Sequence, residues 1–347
     1  MGLPMKPVDH PVVAAPRVGL LLVNLGTPDE ASPRAVRRYL REFLSDRRVV
    51  ELPPLLWQPL LNGIILNTRP RRSAAAYAKV WTEDGSPLAV ITAAQGAALA
   101  ARLGEAVPGE VVLVRHAMRY GRPAIADTLA ELQAAGATRI LVAPLYPQYS
   151  GATTATVVDK VGEALRAMRW QPTLRFLPPY HDDPLYIDAL GLTLEAGLAA
   201  LDFVPDRILA TFHGMPQRTL QLGDPYHCQC VKTARLLGER TGRPLTLTFQ
   251  SRFGPAKWLE PATDATLAAL PGEGVKKVAL IAPGFSADCL ETLEEIAIQG
   301  RESFMAAGGT HFAYIPCLND GEPGMAMLEA LALRELAGWI DPKVACS

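Results

Sequence analysis

The strongest constraint on this chain is a regular alternation of short aliphatic, often β-branched runs with amphipathic helical patterns. Runs of strand length lie at Arg17–Asn24, Val111–His116, Arg139–Ala143, Thr173–Phe176, Arg207–Phe212, Leu245–Phe249, Lys277–Ala282 and His311–Ile315, most separated by ten or more residues of helical pattern. Such alternation predicts an α/β protein with parallel sheets joined by right-handed crossovers. An internal repeat sharpens this. LLLVNLGTP at Leu20–Pro28 matches ILATFHGMP at Ile208–Pro216, Arg119-Tyr120-Gly121 matches Arg252-Phe253-Gly254, and VAPLYPQ at Val142–Gln148 matches IAPGFSA at Ile281–Ala287. The three matches keep their order, so two similar doubly wound domains with a cleft between them are expected, each burying its own core.

At 347 residues the chain has the length for two such domains. Apolar residues make up 49% and charged residues 20%, with a formal net charge of -1, so it is no polyelectrolyte and nucleic acid is not an expected partner. The N-terminal stretch lacks the apolar core and small-residue cleavage site of a signal peptide, and no apolar run of the ~20 residues of a membrane span is expected. The expected location is the cytoplasm. The five cysteines form no CxxC pair and read as reduced thiols. No GxGxxG or Walker-type loop follows a strand, so the architecture carries no nucleotide signature.

Two segments concentrate chemistry. In the first, RILATF leads into His213-Gly214, placing a histidine at the carboxyl end of a buried strand, where open parallel sheets bind ligands. In the second, APGFSADCLETLEEIAIQGRE reads as a strand end, a Pro283-Gly284 turn and a helix, with Asp288, Glu291, Glu295 and Glu302 on one face by α-helical spacing. A histidine and a carboxylate suit a divalent first-row metal, and they equally suit proton abstraction near neutral pH. His213 and Glu291 are therefore candidates for both tasks, while a stable structural metal site would want about four ligands. Cys228-Gln229-Cys230 beside His227 is a weak metal pattern without a second pair. Arg119, Tyr120, Arg252, Phe253 and Trp258 follow strands, and such a mixture suits a large flat ligand with anionic substituents. Between the first strand and helix and the second strand lies an excursion from about Leu52, in which prolines interrupt an apolar run, so no single helix is expected there. Its Leu52–Leu66 portion would form an apolar patch, with Arg69, Arg71 and Arg72 just beyond.

These residues resemble the ferrochelatase family, whose members insert ferrous iron into a porphyrin in the last step of haem synthesis. The resemblance runs from about Val18 to Leu333 through VNLGTPDEASPRAVRRYLREFLSD, VWTEDGSPL, MRYGRP, APLYPQYSGATT, FHGMPQR, GDPYHCQC, FQSRFGPAKWLEP and PGFSADCLETLEE. It implies two Rossmann-like domains of the type II chelatase kind: residues 17–172 with 321–342, and residues 173–320, the former carrying a porphyrin-cleft lip at 52–77. It implies His213, Glu291 and Glu295 as catalytic residues, His213 and Glu291 toward the metal, and Arg119 and Tyr120 toward the porphyrin; Trp258, among the loop aromatics above, is a further candidate for porphyrin binding. Glu295 and Asp288 would carry protons or ions toward solvent. The implied substrates are protoporphyrin IX and ferrous iron; coproporphyrin, another tetrapyrrole chelation, or non-catalytic porphyrin carriage are the alternatives. The lip, through residues 52–72, is a candidate for peripheral contact with the inner face of the membrane. Cys289 stands where some members have a histidine, so that histidine's role does not transfer. No cofactor beyond the iron substrate is expected; Cys346 alone stands where some members gather C-terminal cysteines for a [2Fe–2S] cluster, so no cluster is expected.

Overall fold

The computed structural model describes residues 14–107, 112–254 and 256–340. Its strands are β1 (Arg17–Gly26), β2 (Val112–Tyr120), β3 (Ala137–Pro144), β4 (Thr173–Phe176), β5 (Arg207–His213), β6 (Leu245–Gln250), β7 (Lys277–Ile281) and β8 (His311–Ile315). They form two four-stranded sheets, β2-β1-β3-β4 and β6-β5-β7-β8, with every pairing parallel. The second sheet repeats the strand order of the first, and all three repeated sequence segments fall at the carboxyl ends of equivalent strands. Two glycines show how closely the halves agree. A Cβ on Gly26 would stand 1.7 Å from the Tyr120 carbonyl oxygen, and one on Gly214 would stand 2.4 Å from that of Gln250, so each half needs glycine where its first strand approaches its second.

Two expectations about domains change. Thr173–Phe176, expected to open the second domain, pairs with β3 from Arg139↔Thr173 to Val142↔Phe176, because Leu174 and Phe176 pack in the first half's core. The first sheet therefore extends past residue 172. Nor does each half bury only a core of its own. Along β1, Leu20 and Leu22 face a cluster shared with Ala210, Phe212 and Ile281 of the second sheet, whereas Leu21 and Val23 face a cluster private to the first half. Leu209, Val278 and Leu280 face the second half's private cluster. The period-two alternation thus gives each sheet one private and one shared face. The shared core takes in the helices Pro87–Ala106, Pro184–Ala199 and Glu322–Leu336, the last packing against both others.

Helix Pro87–Ala106 is long and apolar enough to cross a membrane, contrary to the sequence expectation, yet it packs against β1, β2 and the last helix as a core helix. The excursion also differs from expectation. Residues 54–80 form one nearly continuous helical run: an α-helix Pro54–Leu60, a π-helical turn Leu61–Ile65 and an α-helix Leu66–Val80. Pro70 cannot donate to the Leu66 carbonyl four residues earlier, but Arg37 Nε donates to that oxygen at 3.0 Å and satisfies it. Underneath, Leu61 and Leu66 pack with Leu44 and Trp57.

Candidate active site

His213 ends β5 opposite Gln250 of β6. Its Nδ1 lies 2.7 Å from the Gly214 carbonyl, an acceptor, so Nδ1 carries the hydrogen in the neutral ring and Nε2 keeps the lone pair. Tyr226 OH donates to the His213 carbonyl at 3.0 Å, fixing the backbone from the other side. Gln250 then reaches across to the acidic helix, its Nε2 donating to the Glu291 carbonyl at 2.9 Å. Behind it, Thr211, Thr263 and Thr248 form a buried hydroxyl chain ending on Gln250 Oε1. The strand that carries His213 and the helix that carries Glu291 are thus held by one amide side chain.

The acidic helix is a π-helix, Glu291–Gly300, followed by an α-helical turn Arg301–Ala306. Its i→i+5 hydrogen bonding widens the turn, so the expected single face of Asp288, Glu291, Glu295 and Glu302 does not form. Asp288 precedes the helix, and its carboxylate accepts from Thr292 Oγ1 at 2.8 Å, Tyr314 OH at 2.6 Å and Asn319 Nδ2 at 2.7 Å. Buried and bonded by three side chains, it anchors the helix start. Glu295 accepts from Ser251 Oγ at 2.6 Å. Burial holds its carboxyl above the ordinary range against the downward pull of the Ser251 bond, while His213 lowers it and Glu291 raises it. Gln250, opposite His213 on the neighbouring strand and bonded to the Glu291 carbonyl, and Ser251, bonded to Glu295, tie the end of β6 beside His213 to the acidic helix. Among the described residues, no group of three or more His, Cys, Asp or Glu could hold a metal ion.

The first half supplies the facing wall. Burial raises the phenols of Tyr39 and Tyr77; Tyr39 OH donates to the Gly26 carbonyl at 3.0 Å, and Tyr77 packs in a cluster with Leu290 at the start of the acidic helix. Leu25, the counterpart of His213 in the repeat, packs in a cluster with Cys289. Helix Leu66–Val80, which continues the lip, crosses the gap at two points: Lys79 Nζ bonds Glu294 at 2.8 Å, and the Arg69 guanidinium lies 4.7 Å from the centre of the Phe253 ring.

Arg119 and Tyr120, expected toward the porphyrin, have partners within the first half. Tyr120 is fully buried and donates to Asp46 Oδ2 at 2.8 Å; Arg119 ion-pairs with the same carboxylate, donates to the Thr156 carbonyl at 2.8 Å and lies over the Tyr120 ring. They brace the wall from behind. Arg252 is similarly engaged, with both oxygens of Asp264 at 2.8 Å. Trp258 packs on the Gly214 turn, bridges to Pro216, and donates Nε1 to the Phe253 carbonyl at 3.0 Å. Sequence reasoning missed Gln250, Ser251, Tyr39, Tyr77 and Glu294. Tyr39, Gln250, Ser251 and Glu294 lie within the quoted motifs and Tyr77 ends the lip, but only Glu294 stood out by itself, as the neighbour of Glu295 in an acidic helix.

A model of the ferrochelatase family matches residues 17–336. The ferrochelatase of Rhizobium meliloti (strain 1021) is 57% identical over 338 residues, 96% of this chain and 98% of its own. That of Rhodopseudomonas palustris (strain ATCC BAA-98 / CGA009) is 54% identical over 339 residues, 96% and 97% of the two chains. Among solved structures, SirB from Bacillus subtilis with Fe3+ superposes with a TM-score of 0.56 at 11% identity, over 94% of this chain and 100% of that one. The sirohydrochlorin chelatase SirB from Bacillus subtilis subspecies spizizenii, in complex with cobalt, gives 0.51 at 10%, over 92% and 95%. At such identity the likeness is one of fold, and that fold is the pair of parallel sheets described above. With both its length and its sequence accounted for by these relatives, the chain belongs to the ferrochelatase family.

Proposed function

We propose that this chain is a lyase that inserts ferrous iron into protoporphyrin IX, the terminal step of haem synthesis, with His213 as the proton acceptor. Insertion requires the macrocycle to lose two pyrrole protons as iron sheds its own ligands. The observation that carries the assignment is the tautomer of His213: with Nδ1 committed to the Gly214 carbonyl, Nε2 is left as a base or metal ligand beside Glu291 and Glu295. Glu291 is the polar partner of His213 during metal delivery. Glu295, whose burial favours its protonated form, passes protons onward. Iron is substrate here, and no resident cofactor is invoked. The apolar lip, with Leu55 90% and Leu56 73% exposed, favours the more hydrophobic protoporphyrin over coproporphyrin and suits peripheral docking on the inner face of the membrane.

The test is anaerobic ferrous insertion followed by loss of porphyrin fluorescence, with each porphyrin as substrate. Wild type turns over protoporphyrin faster than coproporphyrin, and His213→Ala lowers the rate by about 10²–10⁴-fold, the usual worth of a positioned base. Glu291→Ala falls with it. Porphyrin binding without insertion above the uncatalysed rate would identify a carrier and sink the assignment.

A further inference from the structure

Near the start of the acidic helix, at the joint between the halves, lies a small, largely enclosed cavity lined by Gln95, Tyr180, Ser286 and Asn319, with Leu318 and Met327 among its apolar walls. Three of these side chains end in buried polar atoms with no hydrogen-bond partner: Gln95 Oε1, Tyr180 OH and Ser286 Oγ. The residues are 1%, 2% and 7% exposed, so bulk water does not satisfy them. An unsatisfied buried polar group costs about 1–3 kcal/mol, and three converging on one cavity demand a common partner. Space for the centre of a water-sized sphere amounts to about 10 Å³. That is near the lower limit for one water molecule, and too little for an organic ligand.

We propose that this cavity is a binding site for a single internal water molecule that ties the two halves together. The water donates to Gln95 Oε1 and either donates to or accepts from the hydroxyls of Tyr180 and Ser286. Three partners match the usual coordination of a buried water. The three come from different parts of the fold: Gln95 from helix Pro87–Ala106, Tyr180 from the segment after β4, and Ser286 from the segment after β7. Gln95 already spends its amide on the joint, Nε2 donating to the Ser286 carbonyl at 3.1 Å and the Asn319 carbonyl at 2.8 Å. The water completes that side chain through its remaining acceptor. Asn319 in turn holds Asp288, donating Nδ2 to its carboxylate and accepting from its backbone N–H at 2.8 Å. The site therefore sets the start of the helix bearing Glu291 against the first half, as a positioning device remote from the reacting atoms.

The experiment is a crystal structure of the full chain, resolved well enough to show ordered water, beside the same structure of Tyr180→Phe/Ser286→Ala. The expected result is an isolated peak in the wild type, about 2.6–3.1 Å from all three oxygens, and its loss in the double variant. The proposal fails with no peak in the wild type, with the three groups turned to bond one another directly, or with a peak surrounded by more numerous and shorter contacts, which marks a cation. A peak that persists unchanged in the double variant also overturns it, because the hydroxyls would then not be what holds it. If the double variant does not fold, the wild-type structure alone decides.

Discussion

Glu295 shows how environment assigns a role at the scale of one residue. Burial raises its pKa, Ser251 and His213 oppose the rise, and Glu291 adds to it. A carboxyl raised in the folded state binds more protons there than in the unfolded chain, so stability falls as pH climbs from the unfolded value through the folded one. Above that window the penalty is complete. Glu295→Gln removes it and keeps an oxygen for Ser251 to bond, so this variant should melt above wild type near neutral pH. The advantage should shrink as pH falls through the ordinary glutamate range. Thermal melts of both proteins across pH 4–7 check this; an advantage that is constant with pH would mean that the charge is not its source. The position of Glu295 beside His213 depends on Ser251, which adopts a left-handed backbone with φ of 65°, and nothing in the local sequence announces that. The partners of Arg119 and Tyr120 were illegible for a related reason. A strand end can be read from their neighbours, but Asp46, which captures both, lies more than seventy positions away.

At the scale of elements, the eight strands of the described residues were legible as short runs between helical patterns, the inner strands β1, β3, β5 and β7 most clearly because strands buried on both faces read as nearly continuous apolar runs. The helices that differ from expectation are the two with π-helical segments, Leu61–Ile65 and Glu291–Gly300. Both carry a plausible α-helical pattern, so periodicity alone does not distinguish them. The consequence is concrete at Glu294. The wider turn buries its carboxylate, where it takes Lys79 of helix Leu66–Val80 and Gln299 at 2.7 Å, with only 5% of the side chain exposed. Removing the lysine leaves a buried charge with one amide partner, a worse state than having no charge. Lys79→Met should therefore lower the melting temperature, and Lys79→Met/Glu294→Gln should melt above Lys79→Met alone. Thermal melts of the two variants decide it. If the second substitution lowers stability further, the pair does not couple the lip to the acidic helix.

For the molecule as a whole, the repeat in the sequence correctly implied two sheets of one topology. It could not show that they share a core, because the repeat lies within each half and the joint between halves depends on Pro87–Ala106, Pro184–Ala199 and Glu322–Leu336. That joint leaves the lip projecting with an apolar outer stripe. Leu52, Leu55, Leu56, Leu60 and Ile64 recur at helical spacing and are all exposed, whereas Leu61 and Leu66 on the opposite side are fully buried. Arg71 and Arg72 are exposed on the following helix. A stripe of this kind flanked by arginines is suited to lie at the boundary between acyl chains and anionic headgroups, where each cation near the surface contributes about 1 kcal/mol. Flotation with vesicles should bring the wild type up with phosphatidylglycerol and less with phosphatidylcholine alone. Leu55→Ser/Leu56→Ser/Ile64→Ser should remain at the bottom while keeping the wild-type melting temperature, since none of the three supports the core. Wild type that fails to float, with or without porphyrin, would leave the stripe as the rim of the porphyrin cleft alone. In that case the triple substitution should act on porphyrin KM.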